Sequence, residues 1–98
     1  MPYIKQDIRN NLDEDISCLF SALVMNSSKE SIYGNLNYSF TNILETAIEL
    51  NGKNYSTINS LVGMLECCKM ELYRRMAGPY EILKAYENGD VDIYQENI

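Results

Sequence analysis

TINSLVGMLECCKMELYRRMA, residues 57–77, carries the longest helical pattern in the sequence. Its apolar side chains recur at steps of three and four residues, which places them on one stripe of an amphipathic helix. This stripe consists of Ile58, Leu61, Leu65, Cys68, Leu72 and Met76. We therefore predict one long helix whose residues Leu65, Cys68 and Leu72 face a core.

The same periodicity predicts further helices near residues 12–25, 36–50 and 79–87. Asn51-Gly52 and Asn88-Gly89 supply helix stops, because glycine accepts the left-handed conformation that ends helices. Ser56 or Thr57 can cap the longest helix by accepting a backbone N–H bond. No strand pattern occurs, so the predicted fold class is all-α.

Gly78-Pro79 follows the longest helix directly. Proline lacks an N–H and clashes with the preceding turn, yet it is a good first residue of a new helix. The sequence therefore predicts a small bundle of about four helices with a Gly-Pro break in or after the longest helix.

A chain of 98 residues favours a single domain, here residues 1–98. Residues 1–10 are polar and predict an N-terminal arm, and residues 90–98 predict an acidic tail. A chain of this size buries roughly 60–70% of the surface that its unfolded form exposes. Because that leaves a small core, we expect a homo-oligomer.

The net charge of −6 excludes some partners. Residues 53–84 carry five basic and three acidic side chains, whereas residues 85–98 carry four acidic and none basic. Duplex nucleic acid is repelled by most of such a surface, so we expect none as a partner. No signal peptide and no membrane span is recognisable, which predicts a cytoplasmic location without membrane contact.

The chain has no histidine, no glycine-rich phosphate loop and no CxxC spacing among its three cysteines. We therefore predict no catalytic residues, no metal site and no cofactor. Four carboxylates leave one enzymatic alternative, since all-α nucleotide pyrophosphohydrolases hold magnesium between helices. These are Glu45 with Glu49 and Glu66 with Glu71, although their spacing departs from the Glu-x-x-Glu and Glu-x-x-Asp pairs of those enzymes.

The segment Tyr73-Arg74-Arg75-Met76-Ala77-Gly78-Pro79-Tyr80-Glu81 combines two guanidinium groups, two aromatic faces and the helix break. Such a set can grip a phosphate and stack a base. In the alternative interpretation the tyrosines pack around the break while both arginines bridge helices through nearby glutamates. We take Arg74, Arg75, Tyr73 and Tyr80 as candidate ligand-binding residues.

Residues 35–92 contain motifs that resemble a family of small uncharacterised bacteriophage and prophage proteins. The matching motifs are Asn37-Tyr38 with Thr41, Leu65-Glu66 with Lys69 and Glu71, Tyr73-Arg74-Arg75, Pro79-Tyr80-Glu81 and Glu87-Asn88-Gly89-Asp90. The opening Met1-Pro2-Tyr3-Ile4 is similar to the start of those proteins. The resemblance adds Asn37 and Tyr38 to the candidate ligand-binding residues. It implies a phage-encoded protein that acts in the bacterial host cell, without implying an activity.

Two classes of function stay open. In the first, the chain is a non-enzymatic binding protein that antagonises a host system by binding a host protein or by sequestering a small, anionic, nucleotide-like ligand. In the second, it is a magnesium-dependent all-α nucleotide pyrophosphohydrolase. We favour binding, because the carboxylate spacing departs from the enzyme pattern while the arginines and tyrosines are well grouped.

Overall fold

The computed structural model describes residues 2–95, which form helices with no strand among them. The main helices are α1 (Gln6–Met25), α2 (Ile32–Asn51), α3 (Tyr55–Leu72) and α4 (Gly78–Asn88), followed by the short α5 (Asp92–Gln95). A π-helical turn, Tyr73–Ala77, connects α3 to α4. The all-α prediction with about four helices is confirmed. The last residues of the predicted acidic tail, 96–98, lie outside the described residues.

The chain divides into two compact units, which we describe separately. The N-terminal unit is Met1–Val62 and the C-terminal unit is Gly63–Ile98, so the boundary falls inside α3. The organisation of residues 1–98 as a single domain stays a prediction.

The first helix begins earlier than the predicted arm allows. Residues 6–10 are helical, so the non-helical part of the arm comprises residues 2–5. Local bonds support this extension, because Gln6 Nε2 donates to Asn10 Oδ1 at 2.8 Å and Arg9 Nε donates to the Ile4 carbonyl at 2.8 Å. Ile8 also extends the apolar stripe by one helical step, which was too little periodicity to predict a helix from sequence.

A reciprocal pair of serines shapes the connection between α1 and α2. The Ser28 N–H donates to Ser31 Oγ at 2.7 Å, and the Ser31 N–H donates to Ser28 Oγ at 3.1 Å. This is the geometry of a capping box, which satisfies backbone donors that a helix start leaves unpaired. Asn35 then ties α2 to the connection, since its Nδ2 donates to Ser27 Oγ at 2.8 Å. These bonds bring the start of α2 against the end of α1.

The contact between α1 and α2 buries one apolar side chain. Leu23, near the end of α1, is 8% exposed. Among the described residues it is the one hydrophobic residue that is buried. Leu19 and Leu36 are half-buried beside this contact. Towards the start of α1 the same stripe continues through residues that stay exposed. The packing within the N-terminal unit is therefore concentrated at one end of α1.

Both predicted glycine stops are confirmed. Helix α2 ends at Asn51 and α4 ends at Asn88, and the glycines that follow have positive φ, +105° at Gly52 and +86° at Gly89. The start of α3 differs from expectation. The side chain that accepts the capping bond belongs to Asn54, whose Oδ1 receives the Thr57 N–H at 2.9 Å. Asparagine is at least as good a helix cap as serine or threonine.

The helical backbone continues through the predicted break in an altered form. Gly78 donates its N–H to the Tyr73 carbonyl, five residues earlier, and Gly78 itself keeps right-handed helical angles of −55° and −56°. Pro79 follows in the first turn of α4, where its missing N–H costs least. The Gly-Pro sequence thus directly follows a π-helical turn, and a break of the helix axis stays a prediction.

The prediction that one face of the longest helix packs against a core is wrong for the isolated chain. Leu65, Cys68 and Leu72 are all exposed, with Leu72 at 66%. Periodicity shows which side chains share one face of a helix, but it does not show whether another element covers that face. A large destabilisation is therefore expected at Leu23 and not at these positions.

We predict that Leu23→Ala lowers the free energy of unfolding by about 2–5 kcal/mol, the usual cost of a large-to-small change in a core. Leu50→Ala is the matched control, because Leu50 is a helical leucine of the same unit but is 84% exposed. Its cost should stay within about 0.5 kcal/mol. Urea denaturation followed by circular dichroism measures both, and equal losses would contradict the assignment of the core.

Candidate functional site

Four of the predicted ligand-binding residues lie on one short piece of the C-terminal unit. Tyr73, Arg74 and Arg75 belong to the π-helical turn, and Tyr80 lies in the first turn of α4. We call residues 73–81 the Arg–Tyr segment. The guanidinium side chains are well exposed, at 64% for Arg74 and 62% for Arg75.

Glu71 is the carboxylate that both arginines share. Arg74 Nη2 lies 3.1 Å from each oxygen of Glu71, and Arg75 Nε lies 3.3 Å from Oε1. Residues three and four positions apart are neighbours on a helix surface, so one carboxylate can reach both guanidinium groups. Its side chain is only 24% exposed, which indicates that the arginines and the helix cover it. One negative charge thus faces two positive charges.

The two arginines differ in how firmly Glu71 holds them. Arg74 donates hydrogen bonds to both carboxylate oxygens, whereas the contact of Arg75 is a single ion pair through Nε. An exposed ion pair of this kind contributes at most about 1 kcal/mol, because water screens it. An incoming anion can therefore recruit Arg75 at lower cost than Arg74.

A hydrogen bond spans the π-helical turn, since the Tyr73 hydroxyl donates to Glu81 Oε1. Two turns of a regular α-helix contain about seven residues. A π-helical turn accommodates one additional residue, so positions eight apart come to share a face. This bond and the negative charge of Glu81 raise the pKa of the Tyr73 hydroxyl above its ordinary value of 10.

Tyr80 presents an aromatic ring to a neighbouring cation. Lys84 Nζ lies 5.6 Å from the centre of the ring, within the range of a cation–π contact. The same ammonium group lies 3.2 Å from Glu87 Oε2, so it is also part of an ion pair. The ring itself is 60% exposed and offers a flat apolar surface to a partner.

Asn37 and Tyr38 belong to the N-terminal unit, whereas the Arg–Tyr segment belongs to the C-terminal unit. Asn37 Oδ1 accepts a long hydrogen bond of 3.4 Å from Thr41 Oγ1. Tyr38 lines an open cleft of about 340 Å³ between α1 and α2, together with Leu19 and Leu23. The six predicted residues therefore belong to two different units of the chain.

The carboxylates of the enzymatic alternative are engaged by cations in the C-terminal unit. Glu66 pairs with Lys69 at 2.8 Å, and Glu71 pairs with the two arginines. Within residues 2–95, no group of three or more cysteine, aspartate or glutamate side chains is arranged to hold a metal ion. Nor does any helix of that part combine the length and apolar character needed to cross a membrane.

The fold and the site define an all-α protein with an exposed, charge-paired Arg–Tyr segment. The chain belongs to the family described as domain of unknown function DUF6899, whose model matches residues 1–91. No curated protein and no solved structure matches the chain.

Sequence inspection missed two features of this site. The pair of Glu71 with Arg75 follows from a spacing of four, but the simultaneous bonding of Arg74 was not predicted. The bond between Tyr73 and Glu81 was also missed, because residues eight apart are offset by about 80° around the axis of a regular helix. Proline two residues before Glu81 was the available signal, since it disturbs the hydrogen-bond ladder.

We predict that Glu81→Gln returns the pKa of Tyr73 towards 10, because it removes the carboxylate that stabilises the protonated phenol. Because the pKa of Tyr73 is higher in the folded state than in the unfolded state, a rise in pH lowers the free energy of unfolding. The contribution of this bond is fully present below pH 10 and is lost as the pH rises through the higher pKa of the folded state.

Tyrosine labelled with ¹³C and titrated by NMR measures this pKa, with Tyr73→Phe identifying the signal. Glu87→Gln is the matched control, since it removes a charge from α4 that pairs with Lys84. The titration of Tyr73 should be the same in the control and in the wild type. An equal shift in both variants would show that overall charge, not the bond, sets the pKa.

Proposed function

We propose that this protein is a small, non-enzymatic binding protein of bacteriophage or prophage type that works in the cytoplasm of a bacterial host. The resemblance of several motifs to those of small phage proteins supports that setting. Its biological effect is antagonism of a host system through binding. We further propose that it acts as a homo-oligomer without a cofactor and without binding duplex nucleic acid.

The observation that carries this proposal is the exposed Arg–Tyr segment. Arginine and tyrosine are enriched among residues that dominate binding energy at protein interfaces. Here Arg75 is held by only one exposed ion pair, and the ring of Tyr80 is accessible. A guanidinium group recognises carboxylates and phosphates through paired N–H bonds. The favoured ligand is therefore an acidic surface of a host protein.

A small, anionic, nucleotide-like ligand is the second candidate for the same segment. Its phosphate would replace Glu71 at Arg75, and its base would stack on Tyr80. The open character of this surface favours the protein partner, because small ligands are usually bound in concave sites that bury most of their area.

The enzymatic alternative has weaker support. Glu71 is committed to two guanidinium groups, which compete directly with a magnesium ion for its oxygens. A magnesium-dependent nucleotide pyrophosphohydrolase needs carboxylates that converge on the metal. Release of pyrophosphate from nucleoside triphosphates by the purified protein with Mg²⁺ would favour this alternative over binding.

We predict that Arg75→Lys weakens binding of the partner about tenfold, which corresponds to about 1.4 kcal/mol, because lysine keeps the charge but loses the planar fork. Arg74→Lys is the matched control, since its charge and exposure are similar but it is already bonded to both oxygens of Glu71. The control should retain binding within about twofold.

The partner is first identified by affinity capture from a lysate of the bacterial host and by mass spectrometry of small molecules released from the purified protein by heat. Calorimetric titration of the purified partner then gives the affinity of each variant. Equal affinities for wild type and both arginine variants would overturn the assignment of the Arg–Tyr segment. Circular dichroism of each variant confirms that the helices are intact.

A further inference from the structure

The apolar stripe of α1 is covered at one end and open at the other. Leu23 is 8% exposed against α2, whereas Ile8, Leu12 and Ile16 are exposed, with Ile16 at 61%. These three residues follow one another at steps of four, so they form a continuous row about 12 Å long. All three side chains stay exposed in the described part of the N-terminal unit, and we call this row the open row.

One cleft lies beside the open row, and a second cleft lies at the covered end of α1. One has a volume of about 380 Å³ and is lined by residues of the N-terminal arm together with Leu12 and Ile16. The other is the cleft of about 340 Å³ at Leu19, Leu23 and Tyr38. The open row therefore has a depression at its side that can receive apolar side chains of a partner.

The chain exposes more area than area scaling gives for a folded monomer of its mass. The chain exposes 8816 Å², whereas area scaling gives about 5,700 Å² for a folded monomer of this mass, an excess of about 3,000 Å². Obligate homodimers bury about 2,000–5,000 Å² in total, or about 1,000–2,500 Å² per copy, so the excess per chain is large enough to include a permanent interface. A transient partner cannot stabilise the fold between encounters.

A second copy of the same chain is the partner that is always present in equal amount. We propose that the second copy packs on the open row through its own α1, antiparallel, with Leu12 at the two-fold axis. A two-fold interface uses the same patch on both copies. This symmetry places Ile8 of one copy opposite Ile16 of the other and fills the row from end to end.

The charges of α1 favour the antiparallel direction. A parallel pair would place Asp13, Glu14 and Asp15 at the same level as their own copies, and these like charges repel. In the antiparallel pair, Arg9 lies at the level of Asp15 of the second copy, and Asn10 and Asn11 lie at the levels of Glu14 and Asp13. The opposed helix dipoles also favour the antiparallel direction.

This inference concerns α1 and does not depend on the ligand proposed for the Arg–Tyr segment. We predict that the wild type sediments at twice its monomer mass of 11.3 kDa, or at an even multiple of it. Ile16→Lys should raise the dissociation constant at least about tenfold, because it places a charge in the apolar contact.

Ile82→Lys is the matched control, since Ile82 is an isoleucine on α4 that is 73% exposed and lies outside the open row. It changes the net charge equally and should leave the dissociation constant within about twofold. Analytical ultracentrifugation over a range of concentrations measures all three proteins. A monomeric wild type at high concentration, or equal effects of both substitutions, would overturn the proposal.

A second experiment covers the case in which Ile16→Lys prevents folding. The purified protein carries a photoreactive benzoylphenylalanine at position 16 and, in a separate sample, at position 82. Irradiation should yield a covalent dimer from position 16 with the cross-link near Ile8 of the second copy, and little dimer from position 82. Cross-links from position 16 to position 16, or only within one chain, would contradict the antiparallel pairing.

Discussion

The apolar faces of the main helices are largely in contact with water. Each main helix carries an amphipathic pattern, yet among the described residues the contact of α1 with α2 buries only Leu23. Fixing a residue in a helix costs about 1–2 kcal/mol of backbone entropy, which burial must offset. One buried leucine cannot offset it for about ninety ordered residues. The proposed pairing of two copies would cover part of this apolar surface.

The helices and their stops were predictable because they depend on local chemistry. Gly52 and Gly89 follow their helices with positive φ, as the Asn-Gly pairs indicated. The failure at Leu65 and Leu72 has a different origin. A periodic row identifies the apolar face, but the element that covers it can belong to another molecule. Sequence periodicity in one chain contains no information on that choice.

In the candidate site, one ion pair follows from regular helix geometry and one hydrogen bond does not. Glu71 and Arg75 are four residues apart, so their ion pair could be predicted from regular helix geometry. Tyr73 and Glu81 meet because the π-helical turn shifts the phase of the helix between them. That shift results from the altered backbone hydrogen bonds of the turn that precedes Pro79. A regular helical projection does not represent these bonds.

Self-association would also change how the Arg–Tyr segment binds. A two-fold pair through α1 would carry two such segments, because each copy contributes one. When one segment engages a partner with repeated or paired acidic sites, the second binding event becomes intramolecular. A weak exchange of Glu71 for a partner carboxylate at each Arg75 can then yield stable binding. The modest strength of each ion pair is therefore compatible with an effective binding protein.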